Sequence, residues 1–261
     1  MSRMAVVTGA SSGIGRATAL ALVEEGWRVV VIARRRERLE ELAREARPAP
    51  GGAILVEPLD ASDGAAVLAM ARRVRDAEGA PSVIVNSAGA GAWRYIEDTP
   101  PDAAERMMGA PFKAAYNITH AFMRGMLDRE RGVIIHVGSP ASIMPWAGAT
   151  AYVCSRWALR GLHEALTLDL HGTGVHSCHV LFGKVSSEYF QANADSEQHI
   201  PTLARIIPES TPETCAQVLL DVIRHPRRDV FHPPMLRALD LIHHAAPGLF
   251  RQLVIRTGRQ R

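Results

Sequence analysis

Short runs that are apolar at nearly every position alternate with longer segments of helical period along most of the chain, and few folds accommodate that rhythm. The runs cover residues 4–8, 28–33, 53–59, 82–86, 132–138, 175–182 and, more weakly, 229–232. A strand that is apolar on both faces must be covered on both, which is the condition of a parallel strand inside an α/β layer structure. The stretches between them, 14–26, 35–47, 63–78, 102–128, 151–172 and 212–225, have the length and period of crossover helices. An α/β fold with a doubly wound parallel sheet of about seven strands and helices on both faces is therefore predicted. The break Pro48-Ala49-Pro50-Gly51-Gly52 has the length of a loop, and no repeat or linker interrupts the pattern, so residues 1–261 are expected to form one domain.

Composition narrows the classes of function. The 30 basic residues nearly balance the 27 acidic ones, giving a formal charge of +3 with 47% apolar residues, which speaks against disorder and against a nucleic-acid-binding tail. No apolar run approaches the roughly 18 residues of a bilayer span, and Met1 to Met4 lead straight into a strand, so a cytoplasmic location is expected. Cys154, Cys178 and Cys215 are widely spaced, and His225, His232, His243 and His244 have no ligand spacing; neither a disulfide framework nor a metal site is expected. Only Lys113 and Lys184 among the basic residues are lysine.

The first strand runs into Thr8-Gly9-Ala10-Ser11-Ser12-Gly13-Ile14-Gly15 and then at once into a helix. Glycines in that turn let the backbone approach a pyrophosphate, and the helix N-terminus offers it free N–H groups and partial positive charge. The expected contacts are Gly9, Ser11, Ser12, Gly13, Ile14 and Gly15. Strand 2 ends in Val31-Ile32-Ala33-Arg34-Arg35-Arg36. A carboxylate at this end would accept from a ribose 2′-hydroxyl, whereas a cation pairs with a 2′-phosphate. With Arg34 and Arg35 there and no acid, NADPH/NADP+ is expected in preference to NADH. Asp60, at the end of strand 3, is read either as an adenine contact or as the cap of the next helix.

With these residues in place the chain resembles the short-chain dehydrogenase/reductase family over nearly its whole length. Beyond Thr8 to Gly15, the resemblance rests on Asn86-Ser87-Ala88-Gly89 after strand 4, similar to the family's NNAG, on Ser139 after strand 5, and on Tyr152 thirteen positions later. It implies a Rossmann-type fold, cofactor contacts from Asn86, Ala88 and Gly89, and a loop over the nicotinamide at Phe182 to Ser187, with Gly183, Val185 and Ser187 on the cofactor. It also implies a catalytic Tyr152 that protonates the substrate carbonyl oxygen, a Ser139 that hydrogen-bonds that oxygen, and a homodimer or homotetramer built through helices 102–128 and 151–172. A phenol is a poor acid–base group at neutral pH unless a neighbouring cation favours its phenolate, and position i+4 on the same helix face supplies that neighbour.

Two departures from the family pattern stand out. Tyr152-Val153-Cys154-Ser155-Arg156 is YxxxR, where the family carries YxxxK. Arginine keeps the charge and can donate to ribose hydroxyls, but it is planar and does not release protons. Arg156 thus reads either as the ribose ligand or as a residue that blocks ordinary chemistry. Pro111, in Gly109-Ala110-Pro111-Phe112, stands where the family has a helix-bending Asn of the proton relay.

The expected activity is an NADPH-dependent reduction of a carbonyl or imine on a small apolar molecule. The alternatives are a non-reducing enzyme of this fold, promoting cyclisation or elimination, and a cofactor-binding auxiliary or sensor protein. Trp93 and Trp146 follow strand ends and are read as lining the substrate cleft, with His136 and Met144 ambiguous. Residues 186–212 are less periodic and are expected to form a substrate lid. Lys184 is read as a surface lysine ahead of an active-site cation. The tail, 233–261, is expected to be a helical extension, either packed or an amphipathic surface patch.

Overall fold

A computed structural model describes residues 3–89, 91–189 and 193–258. Seven parallel strands form one sheet: β1 (Met4–Thr8), β2 (Arg28–Ala33), β3 (Ala53–Pro58), β4 (Val83–Asn86), β5 (Gly132–Gly138), β6 (Val175–Phe182) and β7 (Asp229–His232), in the order β3-β2-β1-β4-β5-β6-β7. The order reverses between β1 and β4. In a doubly wound sheet that reversal leaves a crevice at the carboxyl ends of the strands, where ligands bind.

Alternate residues of each strand face opposite layers. Val7, Val29, Val31 and Ile135 pack under α1 (Gly13–Glu24), α2 (Arg36–Glu45) and a helix at Pro212–Arg224. Val6, Val30, Ile32 and Ile134 pack under α3 (Gly64–Glu78) and α5 (Ala114–Leu127), where Phe122 is fully buried. Burying one such side chain is worth about 1.5–3 kcal/mol, and both layers are needed because β1, β2 and β4 bury apolar side chains on both sides.

The helix predicted over 102–128 is not continuous. It divides into α4 (Pro101–Met108), a π-helical turn (Gly109–Lys113) and α5. Pro111 lies inside that turn; it has no N–H to give to the ladder and its ring displaces the preceding carbonyl, so the backbone widens there. The remaining helices are α6 (Thr150–Asp169), α7 (Pro212–Arg224), α8 (Met235–Ala245) and α9 (Pro247–Thr257). The segment predicted as a lid carries two 3-10 turns, Ala194–His199 and Thr202–Ile206, while its residues 190–192 lie outside the described residues. In the tail, Leu236 and Phe250 are buried, Phe250 against Ile143, Met144 and Leu181, while the opposite faces of α8 and α9 are exposed.

Candidate active site

The carboxyl ends of the strands open on a cleft of about 2140 Å³. That is about twice the upper end of an ordinary small-ligand site, which leaves room for a dinucleotide and a second molecule beside it. Its floor at one end is the glycine turn. Gly9 adopts φ +67° and a Cβ there would lie 2.8 Å from the Ser87 carbonyl oxygen; a Cβ on Gly15 would lie 2.5 Å from the Gly9 carbonyl oxygen. The side chain of Thr8 braces the same region by accepting from the N–H groups of Ser87 (3.1 Å) and Ala88 (3.0 Å).

The N-terminus of α1 is open. Asp63 and Thr211 accept first-turn amides at the starts of α3 and α7, but Ser12 makes no such bond at the start of α1. The amides of Gly13, Ile14 and Gly15 in that first turn therefore retain unspent donors and a partial positive charge, the Arg16 N–H already being given to the Ser12 carbonyl. Arg35 lies over the turn, donating to the Ser11 hydroxyl at 3.1 Å and the Ser12 hydroxyl at 3.4 Å. Arg34 lines the cleft beside Asp60; partial burial disfavours the Asp60 carboxylate, but two hydrogen bonds from Ser62 and the charges of Arg34 and Lys113 together hold the carboxyl below its usual range. Asp63, not Asp60, caps the following helix.

Most of the residues predicted for the site come together here: Ser11, Ser12, Gly13, Ile14, Ala88, Gly89, Ser139, Tyr152, Arg156, Gly183, Val185 and Ser187 all line the cleft. Gly15 and Asn86 stand behind its wall. Gly15 lets the turn close, and Asn86 is buried, donating to the Thr119 hydroxyl at 3.2 Å with its amide 3.4 Å from His136 Nδ1. Lys184 reaches the cleft rim but is ion-paired with Glu197 at 2.5 Å and Glu209 at 3.6 Å, as a surface lysine would be.

At the other end, α6 places Tyr152 and Arg156 one turn apart. Both are nearly buried. The Arg156 guanidinium carbon sits 4.9 Å from the Tyr152 ring centroid, and its Nη1 donates to the Val137 carbonyl at 3.4 Å. Its other terminal nitrogen lies 2.7 Å from where a Cβ on Gly89 would stand, so the glycine of Ala88-Gly89 makes the room that the broad planar head needs. Ser139 accepts from the Ala141 N–H at 3.3 Å across the same cleft.

Trp93 (5.3 Å between ring centroids) and Trp146 (6.5 Å) enclose Tyr152, with Met107 and Met144 also on the cleft wall. Tyr189, which the sequence reading did not single out, completes this aromatic wall. Its hydroxyl donates to the Gly91 carbonyl (2.9 Å), accepts from Trp93 Nε1 (3.1 Å) and shares a hydrogen bond with Tyr152, and burial pushes its phenol well above the usual range. The signal for Tyr189 was weak, one aromatic in an aperiodic segment.

Behind Tyr152 and Arg156 lies a buried group of histidines. His136 of β5 and His179 of β6 are register neighbours, and His163 of α6 lies 6.1 Å from the first ring and 5.4 Å from the second, with its Nδ1 2.9 Å from the Ser177 hydroxyl. Burial pushes His136 down to about 3 and His179 well below its ordinary value. The unfolded chain takes up a proton at each site below about pH 6.5, whereas the folded chain does not, so stability must fall as the pH drops below that value. His136 alone should cost about 2 kcal/mol between pH 7.5 and 5, and His179 acts in the same direction. Urea unfolding at those two pH values checks this; an unchanged midpoint would mean that the folded protein already carries the protons. Among the described residues no group of three histidine, cysteine or acidic side chains is arranged to hold a metal, and no helix is long and apolar enough to cross a membrane.

The family follows from the chain itself. The short chain dehydrogenase family model matches residues 3–198, and the chain belongs to that family. It is 31% identical over 221 residues to a 2-(R)-hydroxypropyl-CoM dehydrogenase of Xanthobacter autotrophicus, covering 84% of this chain and 88% of the relative. It is 35% identical over 188 residues to a short chain dehydrogenase of Pseudocercospora fijiensis, but spans only 60% of that relative's length. A metagenomic short-chain oxidoreductase solved in complex with NADP superposes with a TM-score of 0.73 at 31% identity, over 88% of this chain and 96% of the other.

Proposed function

We propose that this protein is an NADPH-dependent reductase of a carbonyl, or imine, on a small apolar molecule. The observation that carries the reading is one cleft with an open helix N-terminus and two arginines at one end and Tyr152, Arg156 and Ser139 at the other. The residues present fit the cofactor. Gly9 and Gly13 leave backbone bare where a pyrophosphate would lie, the uncapped first turn of α1 supplies donors for it, and Arg34 and Arg35 would take the 2′-phosphate. Arg156 would hold the nicotinamide ribose, and Gly183, Val185 and Ser187 would cover the ring. NADPH bound there would supply the hydride.

Hydride addition to a carbonyl carbon leaves an oxygen that needs a proton. Tyr152 gives its phenolic proton to that oxygen, and the Ser139 hydroxyl donates a hydrogen bond to it as charge develops. Arg156 holds a fixed positive charge one turn from the phenol but does not itself pass the proton. Pro111 offers no side-chain hydrogen bond of its own, and Tyr189, whose single proton goes to the Gly91 carbonyl, would as an acceptor orient the Tyr152 phenol and does not resupply its proton. Trp93, Trp146 and Met144 make the substrate end apolar, and residues 186–212 act as its lid. Tyr116, Trp157 and Leu168 are exposed on α5 and α6, the faces through which a homodimer or tetramer would assemble.

Purified protein should consume NADPH with at least one member of a panel of aromatic and long-chain aldehydes and ketones, followed by loss of NADPH absorbance. No turnover with any member, despite NADPH binding, would contradict the reading.

A further inference from the structure

Among the described residues, half of the exposed large hydrophobic side chains belong to the last two helices. Met235, Leu241 and Ile242 of α8 and Leu249, Leu253 and Ile255 of α9 are each at least 40% exposed, whereas Leu236, Phe250 and Val254 of the same helices face inward. At 100° per residue, the outward residues Met235, Ala238, Leu241, Ile242 and Ala245 form a sector of about 120° on α8, with Arg237 and His244 along one edge. This is the reverse of an ordinary packed helix, whose apolar stripe is spent on the core.

Charge is as lopsided as hydrophobicity. Residues 233–261 hold five arginines, Arg237, Arg251, Arg256, Arg259 and Arg261, against one acid, Asp240. That acid is turned inward, 3.3 Å from His244 Nδ1 and 3.9 Å from Arg237. Arg251 and Arg256 are exposed on α9 beside Leu249, Leu253 and Ile255.

We infer that the α8–α9 pair is a docking surface for an anionic lipid membrane. Aliphatic side chains flanked by arginines on a helix lying flat are what an interfacial helix presents to headgroups and the acyl chains below them. A second copy of this chain fits less well, because a two-fold contact through this face would set arginine against arginine. The exposed apolar residues are also all Leu, Ile or Met, without the Trp and Tyr that anchor protein partners. The inner face of α9, through Phe250, Val254 and Thr257, lines the cleft, so this helix stands between the cleft and the membrane. The inference does not depend on the reaction proposed above.

Co-sedimentation of the full chain with vesicles tests it. Vesicles with about half phosphatidylglycerol should bind at least about tenfold more protein than pure phosphatidylcholine at low salt, and the excess should fall as salt rises. Substituting Arg251→Gln with Arg256→Gln should weaken binding about fivefold per arginine, or about 25-fold together. Leu249→Glu with Leu253→Glu should abolish it while thermal unfolding stays unchanged; should that pair fail to fold, the arginine pair decides. Equal binding to both vesicle types, or binding that ignores the arginine substitutions, overturns the inference. So does a concentration-dependent dimer that the same substitutions split while leaving vesicle binding intact.

Discussion

Replacing Tyr152 with phenylalanine should lower carbonyl-reducing turnover by about a thousandfold, with the affinity for NADPH changed no more than a few-fold. The substitution removes one oxygen and keeps the ring that packs against Trp93 at 5.3 Å and lies under Arg156 at 4.9 Å, so the pocket wall survives. Tyr189 loses one partner but keeps the Gly91 carbonyl and Trp93 Nε1. What is lost is the only proton donor that the cleft holds one turn from Arg156 on the same helix. A loss concentrated in kcat is the mark of a group that acts in the transition state. A variant retaining more than a tenth of the activity would move the acid role elsewhere, with Tyr189 the next hydroxyl to test.

The second large effect concerns the other end of the cleft. Arg34→Ala combined with Arg35→Ala should raise the KM for NADPH about 100-fold and that for NADH by no more than about threefold, since a hydrogen bond from a charged group to phosphate contributes about 1.5–3 kcal/mol. Arg35 also donates to Ser11 and Ser12, so its removal loosens the glycine turn slightly for either cofactor. The contrast between the two cofactors is therefore the informative quantity. An equal loss for both would mean that the arginines serve the turn or the pyrophosphate and do not read the 2′-phosphate.

The parts of this protein that were legible in the sequence are those set by local rules. Val29 to Ile32 could only be an interior strand, because four consecutive apolar β-formers have no face to give to water. The glycine turn was legible from the order strand, glycine-rich turn, helix, although only the Gly15 constraint comes from the turn itself, through the Gly9 carbonyl, while Gly9 makes room for Ser87 and Ala88 from the far side of the sheet's switch point. Tyr152 and Arg156 could be paired because a helix fixes what i and i+4 share. Groups assembled across the sheet were not legible. His136, His163 and His179 lie on three elements, and only the register of β5 against β6 and the seat of α6 make them neighbours. Tyr189 reaches Tyr152 from a segment without period, so nothing in its surroundings announced it. Pro111 marks a break in the helical ladder in the sequence, but that the break takes the form of a π-helical turn over Gly109–Lys113 is visible only in the structure. The fate of the tail was likewise open, since Phe250 and Leu249 are adjacent in sequence and differ only in which side of α9 meets the protein.

The central claim is that one cleft brings a nicotinamide to a carbonyl within reach of Tyr152. The most direct measurement is product mass after reaction with NADPH deuterated at nicotinamide C4, prepared as each of the two stereoisomers. One isomer should yield an alcohol carrying a single deuterium on the former carbonyl carbon, and the other an unlabelled alcohol. A converted product without deuterium from either isomer would show that the chemistry involves no hydride transfer and would contradict the account.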